Sequence, residues 1–381
     1  VSSEPGAGDP RRTSEHLTGL RESIAEVDRS LLELLRRRMD LAAEVGRVKL
    51  GAGKPILVPE VHDRVLTRAR QHAEACGVSG EVMEAIFDAV MRGSIERQHR
   101  VGVAMRAEGE SRLLILGGAG DMGNWFRGFA QLLGHPVDIV DPAMAPLPRV
   151  EGRFGSLAEV DDLDRYEAIV VSVPLGRTAA VIDELIEIKP QALVIEIASI
   201  KDELKPALDR GRDAGLRISS LHPMFGPRKS PYEPLTFVLA YRDDPRLEQG
   251  WLEDWIRHPY THLVPVPFDH HDRLMGWLLG FAHLSGMLFG CALSRSGLGA
   301  EELQACASTS YNRQTGAARH VLMEDPDLYY DIQRLNPHRG DVYRAAREAL
   351  TELVESVEDG DREAFREVLG AARKFLVSQD R

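Results

Sequence analysis

Two short runs in this 381-residue chain have residue types and spacing suited to chemistry. One is Gly118-Ala119-Gly120-Asp121-Met122-Gly123, a GxGxxG pattern. It follows the apolar run Leu113–Leu116 and opens a helical pattern containing Trp125, Phe126, Phe129, Leu132 and Leu133. Asp141 closes a second apolar run about 20 residues further on. The order reads as strand, tight turn, helix, strand. Gly118 permits the turn, Gly120 lets the backbone approach a pyrophosphate, and Gly123 lets helix and strand pack closely. Ala119, Asp121 and Met122 complete the loop, where free N–H groups at the helix start favour an anion. An aspartate at position 141 accepts bonds from ribose hydroxyls and repels a 2'-phosphate, so NAD is expected rather than NADP. The second run is Leu221-His222-Pro223-Met224-Phe225-Gly226-Pro227. His222 reads as a loop residue just past an apolar strand, where an imidazole can accept a proton near neutral pH. Between the two, Ser172 and Pro174 close another strand. Ser172 reads equally as a cofactor contact or as a helix cap.

The elements that position these groups divide the chain in three. Residues 15–100 repeat apolar side chains at helical spacing: Leu20, Ile24, Val27, Leu31, Leu35, Ala42 and Val45 lie on one first helix of about 35 residues. At 1.5 Å per residue it spans about 50 Å, more than a small monomeric bundle can cover, so a helix shared across a dimer is expected. Residues 111–268 alternate strands with helices. Beyond the two strands around the glycine run, strands are expected at 168–173, 192–197 and 217–220, with 234–240 and 260–266 at the sheet's end. Residues 269–381 carry few strand signals and read as helices broken near Gly297-Leu298-Gly299, Asp325-Pro326 and Asn336-Pro337. The fold class is multidomain: an all-α domain, a Rossmann-like α/β domain and an all-helical C-terminal domain. Residues 1–14 form a flexible tail and 101–110 a linker.

Composition bounds the partners. A formal net charge of -12 argues against general nucleic-acid binding. No apolar run looks long enough to cross a membrane, and the polar N-terminus does not read as a secretory signal. The three cysteines are far apart and fit thiols in a reducing cytoplasm.

At this point the chain resembles the bifunctional chorismate mutase–prephenate dehydrogenase family over nearly its whole length. The dehydrogenase likeness rests on Ala198-Ser199-Ile200-Lys201 and on the His222-Pro223-Met224-Phe225-Gly226-Pro227 run. It implies active-site roles for Ser199 and His222 and matches a family histidine to His283. It also implies oxidative decarboxylation of prephenate, with hydride passing to NAD⁺ and the ring carboxylate leaving as CO₂. Ser199 would hold the histidine or the hydroxyl in place. The mutase likeness rests on LTGLRESIAEVD and RRRMDLAAEVGRVK and matches family positions to Arg21, Arg38, Lys49, Ser94 and Gln98. Lys49 and Gln98 would stabilise charge on the breaking ether oxygen. Arg38 and Lys49, 11 residues apart, return to nearly the same helix face, whereas Arg21 lies about 25 Å from Arg38 along the axis and would serve a partner's pocket. The basic stretch could instead be a solvated face.

Several positions depart from the family. Val61 and His62 stand where the mutases carry an Arg-Glu pair, which leaves the mutase's competence open. His320 stands where a family arginine clamps a substrate carboxylate, with Arg319 beside it. Asn312 replaces a second arginine, with Arg313 beside it. Arg228 and Lys229 could contribute instead. A changed clamp admits 4-amino-4-deoxyprephenate or arogenate as substrate, with the helical domain serving dimerisation or regulation. A non-catalytic sensor of NAD and an aromatic acid is a third reading. Asp269-His270-His271-Asp272 is rich in potential metal ligands but reads more simply as a polar helix start with an acidic cap. Neither reaction requires an ion, so no metal is assigned. The expected partners are small aromatic-pathway acids and a second copy of the chain.

Overall fold

A computed structural model describes residues 10–52, 54, 59–105, 111–143, 152–256, 258 and 261–377. The N-terminal region consists of α1 (Pro10–Gly51), α2 (Pro59–Ala75) and α3 (Gly80–Met105). Helix α1 starts inside the segment expected to be a tail and runs longer than the spacing predicts. Helix α3 runs on into the expected linker. Only the last third of α1 packs on anything: Ala42, Ala43 and Gly46 are its buried residues. They are small, so α1 and α3 approach closely, and a Cβ on Gly46 would sit 3.0 Å from the Cα of Gln98. Ahead of that contact Ile24, Val27, Leu31 and Leu34 are all exposed, at 60%, 59%, 53% and 62%. The helical period therefore presents an apolar stripe with no partner among the described residues.

The central region is one eight-stranded sheet in the order β3-β2-β1-β4-β5-β6-β7-β8. Its strands are β1 (Leu113–Leu116), β2 (Val137–Val140), β3 (Arg153–Phe154), β4 (Ala168–Val171), β5 (Leu193–Glu196), β6 (Ile218–Pro223), β7 (Leu235–Tyr241) and β8 (Thr261–Pro267). All neighbours pair in parallel except β6 and β7, which are antiparallel. β1, β2, β4 and β5 are buried on every residue, as expected for short aliphatic strands covered on both faces. Helices α4 (Asp121–Leu133) and α7 (Pro245–Ile256) border one face, and α5 (Leu175–Ile188) and α6 (Lys205–Asp213) the other. The chain reverses direction across the sheet between β1 and β4. The carboxyl ends of those strands form the crevice in which such folds take ligands.

The C-terminal region comprises α8 (Phe268–Met275), a π-helical turn (Gly276–Phe281), α9 (Ala282–Leu293), α10 (Ala300–Ala305), α11 (Thr309–Leu322), α12 (Pro326–Leu335), α13 (Arg339–Glu358) and α14 (Arg362–Val377). The breaks fall where glycine and proline stop helices, and Asp359-Gly360-Asp361 joins α13 to α14. One expectation is corrected here. The continuous helical run Phe268–Leu293 has 26 residues and contains an 18-residue window of mean hydropathy 1.5, long and apolar enough by length and composition to cross a membrane. Its first turns are bonded into the sheet edge through His271 and Asp272, and α11 packs along α9. It serves here as the central helix of the C-terminal region.

Candidate functional site

Gly117, rather than Gly118, takes the left-handed turn after β1, with φ of 81°. A Cβ there would fall 2.2 Å from the carbonyl oxygen of Ser172, so only glycine lets the β1 and β4 ends close together. Gly118 is needed for space: its Cβ would lie 2.5 Å from Ile139 Cγ2. Gly123 holds α4 against the loop, where a Cβ would meet the Gly117 oxygen at 2.1 Å. Gly120 caps α4 with no side-chain bond. The N–H groups of Asp121, Met122 and Gly123 start the helix and have no intrahelical acceptor. Asp141 ties the cradle to β2 by accepting from the Ala119 N–H at 2.9 Å. Its other oxygen accepts from the Ala143 N–H at 2.9 Å. A loop that three side chains would fill, with free N–H groups and a carboxylate at the next strand end, fits a dinucleotide.

Ser172 does not cap α5. The cap is Pro174, and the Ser172 backbone N–H donates to Leu116 O at 2.8 Å, one link of the β1–β4 junction.

His222 lies inside β6, not in the loop beyond it, and is 2% exposed. Its Nδ1 is 3.0 Å from Nε2 of His271 on α8. His271 Nδ1 is in turn 2.7 Å from Oδ1 of Asp272. The proposed acidic cap is corrected accordingly: Pro267 caps α8, Asp269 pairs with Lys205 at 2.5 Å, His270 is exposed, and His271 and Asp272 face inward. Asp272 also accepts from the Lys201 N–H (3.0 Å to each oxygen) and from the Asp202 N–H (2.8 Å). Burial pushes its carboxyl up, but the His271 hydrogen bond and charge and these backbone donors outweigh burial and hold it below its ordinary value. Burial, then the neighbouring His271 and Lys201 charges, drop His222 well below the ordinary histidine value. Burial lowers His271 too, against the pull of Asp272.

Donor accounting then settles the tautomers. A carboxylate only accepts, so His271 carries its proton on Nδ1. A neutral His271 presents a bare Nε2, which accepts from Nδ1–H of His222. The remaining nitrogen of His222, Nε2, is left with its lone pair. Asp272 and His271 were missed as functional residues, since adjacency within a polar run says nothing about which side chains turn inward.

Ser199 is half-buried at the end of β5, and no hydrogen bond joins it to His222 among the described residues. The same segment places Glu196 and Lys201, both fully buried, in an ion pair of 2.6 Å. His283 follows the π-helical turn and packs edge-on against Tyr329, ring centroids 4.7 Å apart. Burial lowers it to about 4, and its Nδ1 is buried with no hydrogen-bond partner among the described residues.

A cavity of about 490 Å³ opens from Met224, just beyond His222. Phe225, Arg228, Lys229, Glu233, His320 and Glu324 are among its lining. Arg228 pairs with Glu324 and Lys229 with Glu233. Arg313 and Arg319 are exposed on α11 and do not line it, because a step of one residue turns a side chain by about 100°. Asn312 accepts from Gln304 at 3.3 Å.

The helical region holds a second cluster. Arg38 donates to Val90 O at 3.2 Å and to Ser94 Oγ. Its charge is disfavoured first by burial and then by Arg68 on α2. Arg68 was not singled out in the sequence, because α2 alone gives no sign of facing Arg38. Ser94 and Gln98 are 4% and 8% exposed. Gln98 Nε2 donates to Ser94 O at 3.3 Å, and its buried Oε1 has no partner among the described residues. Lys49 lies one turn beyond Gly46, which touches Gln98, and burial lowers its ammonium. Arg21 is not part of this cluster and stands on the exposed half of α1. Val61 is exposed in the first turns of α2 beside His62, whose side chain lies outside the described residues.

Residues 20–99 match the family chorismate mutase type II, 153–240 the nucleotide-binding domain of prephenate dehydrogenase, and 267–371 its dimerization domain. A T-protein of Enterobacter agglomerans is 28% identical over 349 residues, covering 92% of this chain and 90% of that protein. A T-protein of Haemophilus influenzae is 26% identical over 369 residues, 95% and 93% of the two chains. A prephenate dehydrogenase of Aquifex aeolicus, solved with hydroxyphenyl propionate and NAD⁺, shares the fold with a TM-score of 0.57. It is 19% identical and covers 72% of this chain and 99% of its own. With cations gathered around Arg38 in its helical region and a histidine relay on the sheet that also carries the glycine cradle, the chain belongs to the family that joins a chorismate mutase domain to an NAD-dependent prephenate-type dehydrogenase.

Proposed function

We propose that the C-terminal two regions carry out NAD-dependent oxidative decarboxylation of prephenate or a close analogue, and that the helical region rearranges chorismate to prephenate. The observation that carries the dehydrogenase reading is the relay from Asp272 through His271 to His222. It leaves His222 Nε2 as a bare acceptor at the carboxyl edge that also holds the glycine cradle. Three strand spacings, about 14 Å, separate β1 from β6 along that edge.

Bound in the cradle, NAD⁺ supplies the hydride acceptor. The chain's residues do the rest. His222 Nε2 takes the proton from the ring hydroxyl as its carbon becomes a carbonyl. The imidazolium that forms donates through Nδ1 to His271, which Asp272 holds in the accepting tautomer. Loss of the ring carboxylate as CO₂ sends its electron pair through the ring to the carbonyl oxygen, which takes the proton back from His222 and leaves an aromatic phenol. Ser199, on the neighbouring strand end, orients the hydroxyl. His283, uncharged at neutral pH, offers its ring nitrogen to the substrate. The cavity with His320, Arg228 and Lys229 receives the carboxylates.

A second substrate reading draws on that cavity. Both of its cations already face carboxylates, Glu324 and Glu233. A substrate whose side chain bears an ammonium group beside its carboxylate satisfies all four partners, which favours arogenate; 4-amino-4-deoxyprephenate would instead present its amine, on the reacting carbon, to His222. Comparing kcat/KM for the three acids at saturating NAD⁺ decides the matter. Prephenate leading by tenfold or more would remove the amine reading.

In the mutase, Arg38 and Arg68 offer positive charge to a dianion. The Gln98 amide, turned over, presents an N–H where its Oε1 now lacks a partner. The apolar stripe on α1 is covered by a second copy, which brings Arg21 to the partner's cluster.

The test is H222A. Production of NADH should fall by about 10³, within the range for a lost general base, while chorismate rearrangement and the melting temperature hold. Full dehydrogenase activity in a folded H222A protein would dismiss the proposal.

A further inference from the structure

Lys201 and Glu196 take no part in the chemistry above, yet they are the most deeply buried ion pair among the described residues, with both side chains at 0% exposure. Burying two charges is expensive, and apolar side chains of similar volume hold a core together as well or better. The pair therefore needs a reason other than stability.

Its connections supply one. Lys201 Nζ donates to Glu196 at 2.6 Å and to the Leu221 carbonyl at 3.1 Å, one residue before His222. The same residue's backbone N–H donates to both oxygens of Asp272. Lys201 thus touches the relay at both ends. Glu196 accepts from the Ala198 N–H at 2.8 Å on its other oxygen, and from the Ser220 hydroxyl on the oxygen that Lys201 holds. The charged and titratable groups around the two rings are few: Glu196 on β5, Lys201 in the loop after it, and His271 and Asp272 on α8. Ser220 on β6 is neutral.

We propose that the buried Lys201 cation, anchored by Glu196, is a tuning device that keeps His222 and His271 uncharged, so that the base is ready to accept the substrate's proton. The lysine acts through the relay and does not touch substrate, so it is a positioning residue. Its charge opposes a proton on either imidazole, and Glu196 opposes that effect only at His271. The proposal rests on the dehydrogenase reading, but its test is built to work without turnover.

The experiment titrates ¹⁵N-histidine-labelled full-length protein by NMR, with the His222 and His271 signals assigned from H222N and H271N spectra. In the native protein His222 stays neutral well below the usual histidine midpoint, and His271 below it. Neutralising the pair with K201M/E196Q should raise the His222 midpoint by roughly one pH unit, the scale of a nearby like charge. K201R, which keeps the charge, should leave it in place. The acid limb of kcat/KM should move up with the midpoint in K201M/E196Q. A folded K201M/E196Q protein that titrates as the native one does overturns the proposal. K201Q/E196Q, which keeps a polar contact, serves if the first variant does not fold. Unfolding of both neutral pairs also overturns it, since the ion pair would then be a requirement of folding. An unchanged midpoint counts against the tuning role. A shifted midpoint in a protein that makes no NADH from any of the three acids counts against the dehydrogenase reading alone.

Discussion

His271 Nε2 stands 3.0 Å from His222 Nδ1, and that contact decides which nitrogen of His222 is free to act as a base. The two residues are 49 positions apart and lie on different regions of the chain. The sheet supplies one ring and the first helix of the C-terminal region supplies the other.

Asp272 sets the direction of this relay. In D272N the amide can donate to His271 Nδ1 and reverse its tautomer, which turns the free nitrogen of His222 into a donor. The expected result is a kcat lower by about 10² to 10⁴, the span assigned to a positioned base, with KM changed little. Steady-state NADH production at saturating NAD⁺ measures it. A kcat within twofold of the native value would remove the relay from the mechanism.

His283 links stability to acid. Its folded value, about 4, lies below the ordinary 6.5 because the ring is buried. The unfolded chain therefore binds the proton first as pH falls, and stability drains away from about pH 6.5 down to about pH 4. The contribution lost by pH 4.5 is about 2 kcal/mol for this group. Urea unfolding at pH 7 and pH 4.5 should show a smaller difference for H283Q than for the native protein. Equal differences would exclude His283 as a source.

The exposed stripe on α1 should govern assembly. I24D/V27D places two charges on the apolar stripe that the proposed second copy covers. Sedimentation should report a loss of self-association through this helix, and chorismate turnover should fall because Arg21 no longer reaches a partner. Dehydrogenase activity should persist. An unchanged sedimentation coefficient would show that the stripe is not an interface.

Mutase strength should answer to the start of α2. V61R/H62E supplies a cation and an acceptor at the start of α2, the helix that carries Arg68. The charge-assisted bonds these add are each worth about 1.5–3 kcal/mol, so kcat/KM for chorismate should rise by tenfold or more. No gain in a folded protein would mean that the site works without them.

How far the residues alone carry the structure differs by region. The glycine run, the aliphatic strands and the helix breaks are local signals: φ at Gly117, the alternation of apolar runs and the stopping power of Gly297, Pro326 and Gly360 act within a few residues. For that reason β2 is found where its four apolar-rich residues predict it. The two-residue strand β3 and the π-helical turn at 276–281 were not legible. Each is held by neighbours far along the chain, β3 by β2 and the turn by the amide of Gln333 on Gly280 O.

What the sequence by itself determined is the order of the three regions, the glycine turn after β1 and the choice of His222 as the candidate base. Glycine conformations, hydrophobic period and the intrinsic pKa of an imidazole are properties of residues and their near neighbours. Only the tertiary structure decided that His271 and Asp272 turn inward to fix the tautomer of His222, and that Lys201 is buried with Glu196 behind them. It likewise decided that Arg313 and Arg319 point away from the cavity while Arg228 and His320 line it. Those outcomes depend on burial and on the rotation of one helix against one sheet, which no local pattern encodes.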